Sequence, residues 1–400
     1  MPHEIRTAVA DDYDALCDRF SSSLLAPTWV SQAGRDAFEP DRALVVDDGA
    51  TPVATTRALS RTLSVPGGVI AAAHVTGVGV AATHRRRGLL TDLMRHQLST
   101  VPESVAVLWA SEPGIYERFG YHVAAYGHRL AADLARLGAF KGPTVGGLRE
   151  ITASDAPAVL TPLLERYQSL RPGVSGRDER HWEVSLADPP EHRGGWTAHR
   201  YVVHYCDDRP EGYLVWRSKL DSDRFGLTGA VDVVELVAVT EGAYRSLWRY
   251  VLTMDLATSL TYRFAAVDEP VGQLVANPRA LGATVSDALW VRITDVAEAL
   301  SPRRYTTDID LVVDITDDFL PAAAGRFRLT GGPESAACVA TDADPDLSMS
   351  IAELSAIYLG GRRLTEFAAL GKVTEHRRGA VAAATAAFGW SMAPQSIEVF

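Results

Sequence analysis

Three consecutive arginines, Arg85, Arg86 and Arg87, are followed by Gly88 and lie between an apolar stretch and a run of helical periodicity. The apolar residues 74–81 predict a strand, and the leucines that begin at Leu89 predict a helix. The first turn of a helix has backbone N–H groups without intrahelical partners and carries the positive end of the macrodipole. Gly88 would let a large anion approach this backbone. The chemistry predicted here is phosphate or pyrophosphate binding, and a solvated basic surface is the alternative.

The spacing of this loop differs from that of two common phosphate-binding loops. The sequence has no Gly-x-x-x-x-Gly-Lys-Ser/Thr and no Gly-x-Gly-x-x-Gly between a strand and a helix. Arg85-x-x-Gly88-x-Leu90 instead resembles the acyl-CoA loop of the GNAT N-acetyltransferases, although Leu90 replaces the glycine or alanine usual at the last position. This resemblance implies that the loop holds an acyl-CoA.

The strand before the loop could contribute to acyl transfer from a thioester to an amine. This reaction needs stabilisation of the carbonyl oxygen, loss of a proton from the amine and alignment of both reactants. If the strand diverges from its neighbour, the backbone N–H groups of Val78 and Val80 could bind the pantetheine amides and polarise the thioester. In a fully paired strand they would be ordinary ladder residues. Gly79 places a flexible residue in this strand, and Gly77 lacks a side chain just before it, which predicts a wider pocket there.

A second segment with suitable residue types is 111–121, which reads Ser-Glu-Pro-Gly-Ile-Tyr-Glu-Arg-Phe-Gly-Tyr and follows an apolar strand. The GNAT resemblance implies that this helix lies beside the CoA thiol and carries a tyrosine that protonates the departing thiolate, and Tyr116 and Tyr121 both qualify by type. A phenol with a pKa of about 10 can donate to the thiolate of a thiol with a pKa of about 8.5, a modestly uphill step. Either tyrosine could instead be a packed aromatic side chain with its hydroxyl at the surface.

These residues belong to the first of three segments, residues 1–145, whose mixture of strands and helices predicts an α/β fold. A capped amphipathic helix is expected to start near residue 11, a hairpin turn at residues 47–49 and a short helix near residues 114–119. The strand, loop and helix at the centre of the segment position the arginines and Gly88.

Residues 146–292 repeat this order of elements. A helix over 155–170 is followed by a hairpin turn at 207–210 and by a strand that leads into another helix. At this second helix the arginine cluster is missing, and Glu241 would repel a pyrophosphate. We interpret the segment as an internal duplication that lost its cofactor site, with two unrelated α/β segments as the alternative.

Residues 293–400 alternate strand-like and helical stretches and end in the apolar run 394–400, which is expected to be buried. The sequence His-Arg-Arg-Gly at 376–379 imitates the first loop. Because 370–375 is not a convincing strand, a solvated helix start is predicted there.

Composition restricts the class of protein. The chain has 400 residues, 47% hydrophobic and 22% charged, and a formal net charge of −11. Its acidity argues against nucleic-acid binding and favours cationic ligands. Apolar runs of about 20 residues, which a membrane span needs, are absent from the sequence. Cys17, Cys206 and Cys338 are isolated, so neither a disulfide framework nor a metal site is expected. A cytoplasmic location follows by default.

The motifs together identify a family. The loop 84–90, the segment 111–121 and the sequence Ile-Tyr-Leu-Gly-Gly at 357–361 resemble the Eis (enhanced intracellular survival) acetyltransferases nearly end to end. The resemblance implies a GNAT domain over 1–145 that binds acetyl-CoA and a GNAT-like domain over 146–292 that lacks the CoA loop. It also implies a sterol-carrier-like domain over 293–400 whose C-terminus completes the active site.

The same resemblance implies the reaction and its residues. Family members acetylate amines of aminoglycoside, polyamine and lysine-like molecules from acetyl-CoA, often at several positions, as homo-oligomers, usually hexamers. It implies Tyr116 as general acid and the carboxylate of Phe400 as base, orienting group or partner of a relaying water. The residues implied to hold acetyl-CoA are Val78, Val80, Arg85, Arg86, Gly88, Leu89 and Ser111.

The alternative is a non-catalytic sensor or scaffold that binds CoA or a lipid with the same folds. One copy of the duplicated segment keeps Arg85, Gly88 and Tyr116 while the other copy lacks the equivalent loop. Retention of these groups in one copy favours the enzyme.

Overall fold

The structure is a computed structural model and describes residues 4–224 and 226–400. The chain forms two compact units. The first contains the residues up to Ala125 together with Ala288–Ser391 and Val399–Phe400, and the second contains Tyr126–Asp287 and Met392–Glu398.

The elements are numbered in chain order. The strands are β1 (Ile5–Thr7), β2 (Ala43–Asp48), β3 (Thr51–Val65), β4 (Gly68–Val80), β5 (Val105–Leu108), β6 (His122–Val123), β7 (Tyr126–Asp133), β8 (Gly147–Ile151), β9 (Arg200–Cys206), β10 (Arg209–Asp223), β11 (Gly226–Ala238), β12 (Ala257–Ala266), β13 (Thr284–Asp287), β14 (Trp290–Ile293), β15 (Ile309–Thr316), β16 (Gly325–Gly331), β17 (Ala336–Ala340), β18 (Leu347–Ser350) and β19 (Val373–Glu375). The α-helices are α1 (Tyr13–Ser23), α2 (Gln32–Asp36), α3 (Leu89–Thr100), α4 (Pro113–Tyr116), α5 (Ala156–Leu170), α6 (Glu179–Leu186), α7 (Glu241–Leu252), α8 (Val296–Leu300), α9 (Ile351–Ile357), α10 (Leu364–Ala368) and α11 (Ala380–Phe388).

The first sheet of the first unit has the strand order β1-β2-β3-β4-β5-β14-β6. The predicted helix and hairpin are confirmed as α1 and as the turn between β2 and β3, where Gly49 has a φ of 63°. Strands β4 and β5 are parallel but pair only at Ala73 with Ala106 and at His74 with Val107. Beyond His74, β4 continues to Val80 whereas β5 ends at Leu108, so the two strands separate.

Strand β14 comes from a distant part of the sequence. Trp290 pairs with Leu108 on β5 and with Val123 on β6, both antiparallel. The sequence-based division at residues 145 and 292 gave each domain a continuous stretch, whereas in the structure β14 completes the first sheet and β7 joins the second. Apolar patterning marks these strands but carries no information about the sheet edge with which each one pairs.

The second unit holds the sheet β13-β7-β12-β11-β10-β9-β8. Parallel pairing of β11 with β12 ends at Val233 and Tyr262, and β11 then runs on to Ala238 and into α7. This arrangement repeats β4, β5 and α3 of the first unit, as the order of elements predicted.

A third sheet, β17-β16-β15-β18-β19, lies in the first unit. Helices α9, α10 and α11 contribute Leu354, Phe367 and Phe388 to the core beside this sheet. Strand β19 occupies residues that the sequence did not predict as a strand. It has three residues, with only Val373 buried, and so short a segment carries little periodic signal.

Residues 394–397 of the C-terminal run are buried, as predicted, whereas Val399 is exposed and Phe400 is half-buried. In the second unit the Gln395 side chain donates to the carbonyl of Phe264 at 2.6 Å and accepts from the Tyr167 hydroxyl at 2.6 Å. Ile397 packs in the apolar cluster that contains Leu160 and Val237. None of the helices within 4–224 and 226–400 has the length and hydropathy needed to cross a bilayer.

Candidate active site

A cavity of about 400 Å³ opens in the first unit where β4 and β5 separate. Its walls come from the end of α1, the end of β4, the loop before α3, and the segment that contains α4. The lining residues are Ser23, Leu24, Val78, Gly79, Val80, His84, Arg85, Arg86, Gly88, Leu89, Leu90, Thr91, Ser111, Glu112, Ile115, Tyr116 and Arg118.

The end of β4 presents backbone donors to this opening. The amide of Ala81 donates to the carbonyl of Val53 on β3 at 2.8 Å. Because amides alternate in direction along a strand, those of Val80 and Val78 point to the opposite edge, where β5 has already ended. Two backbone N–H groups therefore lie along an unpaired edge that a ligand with carbonyl groups could bind.

Two glycines give this part of β4 its shape. Gly77 has a φ of 63° where the register between β3 and β4 shifts, and a Cβ there would lie 3.0 Å from the Arg57 Cγ. At Gly79 a Cβ would lie 3.2 Å from the Cα of Phe20. The expectation of a wider pocket at Gly77 is therefore wrong, because Arg57 fills the space that the missing side chain leaves, whereas Gly79 lines the cavity and also permits helix α1 to pack closely.

The basic loop forms the start of α3. Gly88 is the N-cap residue and has a φ of 87°, a conformation that favours glycine. The exposed guanidinium groups are held loosely, with Arg85 donating to the carbonyl of Ser23 at 3.2 Å and Arg87 to that of Thr83 at 3.0 Å. Together with the free N–H groups of the helix start, they make a region of positive potential suited to phosphate groups.

The structure distinguishes the two candidate tyrosines. Tyr116 lies at the end of α4 and lines the cavity, and burial together with the nearby Glu112 carboxylate raises its pKa to about 12. Tyr121 is fully buried behind it, with ring centroids 6.1 Å apart, and burial raises its pKa as well. Within the described chain, the Tyr121 hydroxyl has no hydrogen-bond partner. Of the two tyrosines, only Tyr116 therefore lines this cavity.

Phe400 packs against residues of β4 and is not one of the residues that line the cavity. The hydroxyl of Thr76, two residues before Val78, donates to a main-chain oxygen of Phe400 at 2.9 Å. The ring packs edge-on against His74 with centroids 4.6 Å apart, and the Arg61 Cζ lies 5.9 Å from its centroid.

Tyr116 and all the residues that the sequence predicted to bind acetyl-CoA line one cavity. The structure brings these residues together from four separate elements. Sequence reasoning missed the contributions of Ser23, Leu24 and Glu112. Gly79 was the available signal for the first two, since a strand residue without a side chain permits close approach of a helix.

At two other helix starts, side chains of the protein accept hydrogen bonds from the backbone N–H groups that would otherwise be open to an anion. At the start of α7 the Thr240 hydroxyl accepts from the amide of Ala243. At the start of α11 the Glu375 carboxylate accepts from the amides of Gly379 and Val381, at 3.1 and 2.9 Å. Across the described residues, no group of three or more His, Cys, Asp and Glu side chains could hold a metal ion.

Comparisons with known proteins agree with this geometry. Residues 4–124 and 173–293 each match a family model for an acetyltransferase (GNAT) domain, and residues 296–396 match one for a sterol carrier protein domain. The three matches confirm the predicted fold class of tandem GNAT folds followed by a sterol-carrier-like domain.

Whole-chain relatives carry the same activity name. An uncharacterized N-acetyltransferase of Streptomyces avermitilis is 39% identical and covers 98% of each chain. The N-acetyltransferase Eis of Mycobacterium tuberculosis is 32% identical and covers 85% of each chain. The crystal structure of Eis1 from Mycobacterium abscessus is similar with a TM-score of 0.85 at 28% identity, covering 99% of this chain and 100% of that one. The chain therefore belongs to the Eis family of GNAT N-acetyltransferases, enzymes that transfer an acetyl group from acetyl-CoA to amines.

Proposed function

We propose that this enzyme acetylates primary amines of cationic small molecules, such as aminoglycosides, polyamines and lysine-like amines, by direct transfer from acetyl-CoA in a ternary complex. The observation that supports the proposal is that the unpaired edge of β4, the basic loop and the Tyr116 hydroxyl line one cavity. Direct attack needs both reactants to be held together, which is the arrangement that lowers the entropic cost of a two-substrate reaction.

Acetyl-CoA would lie along the end of β4 with its phosphates at the start of α3. The amides of Val78 and Val80 would bind the pantetheine arm and polarise the thioester carbonyl. Arg85, Arg86 and Gly88 would bind the pyrophosphate, and Leu89 and Ser111 would line the remaining surface. The loop suits this role because its guanidinium groups are exposed and its glycine leaves the backbone open.

Tyr116 would act on the leaving group. When the amine attacks the thioester carbonyl, the carbon–sulfur bond breaks and negative charge develops on the CoA sulfur. The phenol of Tyr116 would donate a hydrogen bond and then a proton to that sulfur. An ordinary phenol is already protonated at neutral pH, and the raised pKa of Tyr116 extends the protonated form to more alkaline pH.

The carboxylate of Phe400 would act on the amine. A terminal carboxylate has a pKa of about 3.5 and an alkylammonium one of about 10, so direct proton abstraction is about six units uphill in water. Burial of the pair would narrow this difference by raising the pKa of the acid and lowering that of the amine. The carboxylate would therefore orient the amine and receive its proton directly or through a water molecule.

The preference for cations follows from charge. The formal net charge of −11 produces a negative field that concentrates cationic amines near the protein. The separated cysteines fit a reducing, cytoplasmic compartment. Assembly into a homo-oligomer, with a hexamer as the form implied by the family resemblance, is part of the same proposal.

The test is release of CoA thiol from acetyl-CoA in the presence of a panel of polyamines, lysine derivatives and aminoglycosides. The proposal predicts release that depends on the amine and favours molecules with two or more positive charges. Equal rates with neutral and polycationic amines would contradict the assigned substrate class. Covalent acetylation of the enzyme in the absence of any amine, at the rate of turnover, would contradict direct transfer.

A further inference from the structure

Phe400 is held at both its ring and its main chain by residues of strands β3 and β4. The Thr76 hydroxyl donates to a main-chain oxygen of Phe400 at 2.9 Å, and Thr76 is only 8% exposed. The ring lies edge-on to His74, which is completely buried, and beneath the Arg61 guanidinium. A chain end usually frays because it lacks such contacts.

In the proposed function, this bonded main-chain oxygen is one of the two oxygens of the Phe400 carboxylate. A hydroxyl that donates to one oxygen fixes the plane of the carboxylate and leaves the second oxygen available to another donor. Such a bond to a charged acceptor is stronger than one between neutral groups, particularly where water has little access. Thr76 therefore has the chemistry to orient this group without itself reacting.

The position of Thr76 ties this contact to the reaction. Thr76 lies on β4, the strand on which the amides of Val78 and Val80 point to the unpaired edge. Gly77, where the register shifts, lies between Thr76 and Val78. A rigid strand therefore sets the spacing between the Phe400 carboxylate and the amides proposed to bind the thioester. A catalytic group mounted on a strand is held more accurately than one on a free terminus.

We infer that Thr76 is the positioning residue of the acceptor side, a hydroxyl that orients the Phe400 carboxylate toward the attacking amine. This inference rests on the proposed function, because it assigns the carboxylate to the amine. It adds a second use of β4, whose backbone would serve the acetyl donor while its Thr76 side chain serves the acceptor.

The test replaces Thr76 by valine, which keeps the shape of the side chain and removes the hydroxyl. Thr76→Val should lower kcat by about 10-fold to 100-fold, the cost of one hydrogen bond to a charged group, and leave the KM for acetyl-CoA unchanged. Thr76→Ser restores the hydroxyl and should recover most of kcat. A packing role would give the opposite order, because serine loses the methyl group that valine keeps.

The matched control is Thr56→Val. Thr56 is another threonine of this sheet and is completely buried, and its hydroxyl donates to the Gln97 side chain at 3.0 Å, away from Phe400. Thr56→Val should lower stability while kcat stays at the wild-type value. If Thr76→Val and Thr56→Val have the same kcat, the inference is wrong.

A double variant separates this inference from the proposed function. If Thr76 acts through Phe400, Thr76→Val should cause no further loss of kcat in a chain that lacks Phe400. Additive losses would overturn the positioning role while leaving the enzyme's activity intact. Failure of wild-type enzyme to acetylate any cationic amine would instead overturn the proposed function.

Discussion

Replacing Tyr116 by phenylalanine removes a hydroxyl from the cavity wall and keeps the ring. The pKa of this phenol is raised to about 12, whereas that of a thiol such as CoA is about 8.5. Complete transfer of the proton to free thiolate is thus uphill by about 3.5 units, or about 5 kcal/mol. The phenol therefore helps chiefly while charge develops on the sulfur, as a hydrogen-bond donor that completes its transfer as the bond breaks.

This magnitude sets the expected loss. General acid catalysis contributes about 10²-fold to 10⁴-fold, so Tyr116→Phe should lower kcat by that factor. The KM for acetyl-CoA should stay within about threefold of wild type, because the lost interaction forms only as the sulfur becomes charged. The assay is the initial rate of CoA-thiol release with saturating amine, together with acetyl-CoA binding measured by calorimetry.

Tyr121→Phe is the matched control, since it removes a buried hydroxyl that lacks a hydrogen-bond partner in the described structure. This variant should keep wild-type kcat and be as stable as wild type or slightly more so. The wild-type enzyme should also show no loss of kcat between about pH 8 and pH 10 from ionisation of Tyr116, because burial keeps the phenol protonated below its raised pKa. Equal kcat for Tyr116→Phe and wild type would refute the assignment of Tyr116 as acid.

Three further predictions concern the loop and the core. Gly88→Ala forces alanine into a φ of 87°, which should cost about 1–2 kcal/mol of stability in urea unfolding and raise the KM for acetyl-CoA; an unchanged KM would show that the phosphates lie elsewhere. Arg86→Ala should raise the dissociation constant of acetyl-CoA less at high salt than at low salt in calorimetric titrations, because salt screens an exposed charge; a salt-independent difference would contradict an electrostatic role. Asp317→Asn should lower the free energy of unfolding by about 3–5 kcal/mol, because it leaves the completely buried Arg292 guanidinium without its carboxylate; a loss below about 1 kcal/mol would contradict that account.

The local elements of the site were predictable from the sequence because each depends on neighbouring residues. The strand–loop–helix around Gly88 has an apolar run, a glycine and a leucine periodicity that fall within about 25 residues. Helix α1, the hairpin at Gly49 and the elements of the second copy of the fold were likewise predicted from residues close together in the sequence. Residue type alone did not separate Tyr116 from Tyr121, and only the family resemblance selected Tyr116, because the two differ in how tertiary packing places them relative to the cavity.

The sequence pattern also did not predict which strands distant in the chain pair with each other. Strand β14 fits between β5 and β6 although about 165 residues separate it from β6, and no periodicity reports such a partner. The contact between Thr76 and Phe400 spans 324 positions and was likewise invisible. The pocket predicted at Gly77 was wrong because a missing side chain in a strand can make room for a ligand or for a packed side chain, and here Arg57 fills the space.

The most direct test of the central claim is to incubate the full chain with acetyl-CoA and a polyamine and to follow both products together. CoA thiol would be measured by a colorimetric reagent and the amine by mass spectrometry. The account predicts one acetylated amine for each CoA released, with both signals falling together in Tyr116→Phe. Tight binding of acetyl-CoA without amine-dependent release on any cationic amine would contradict it.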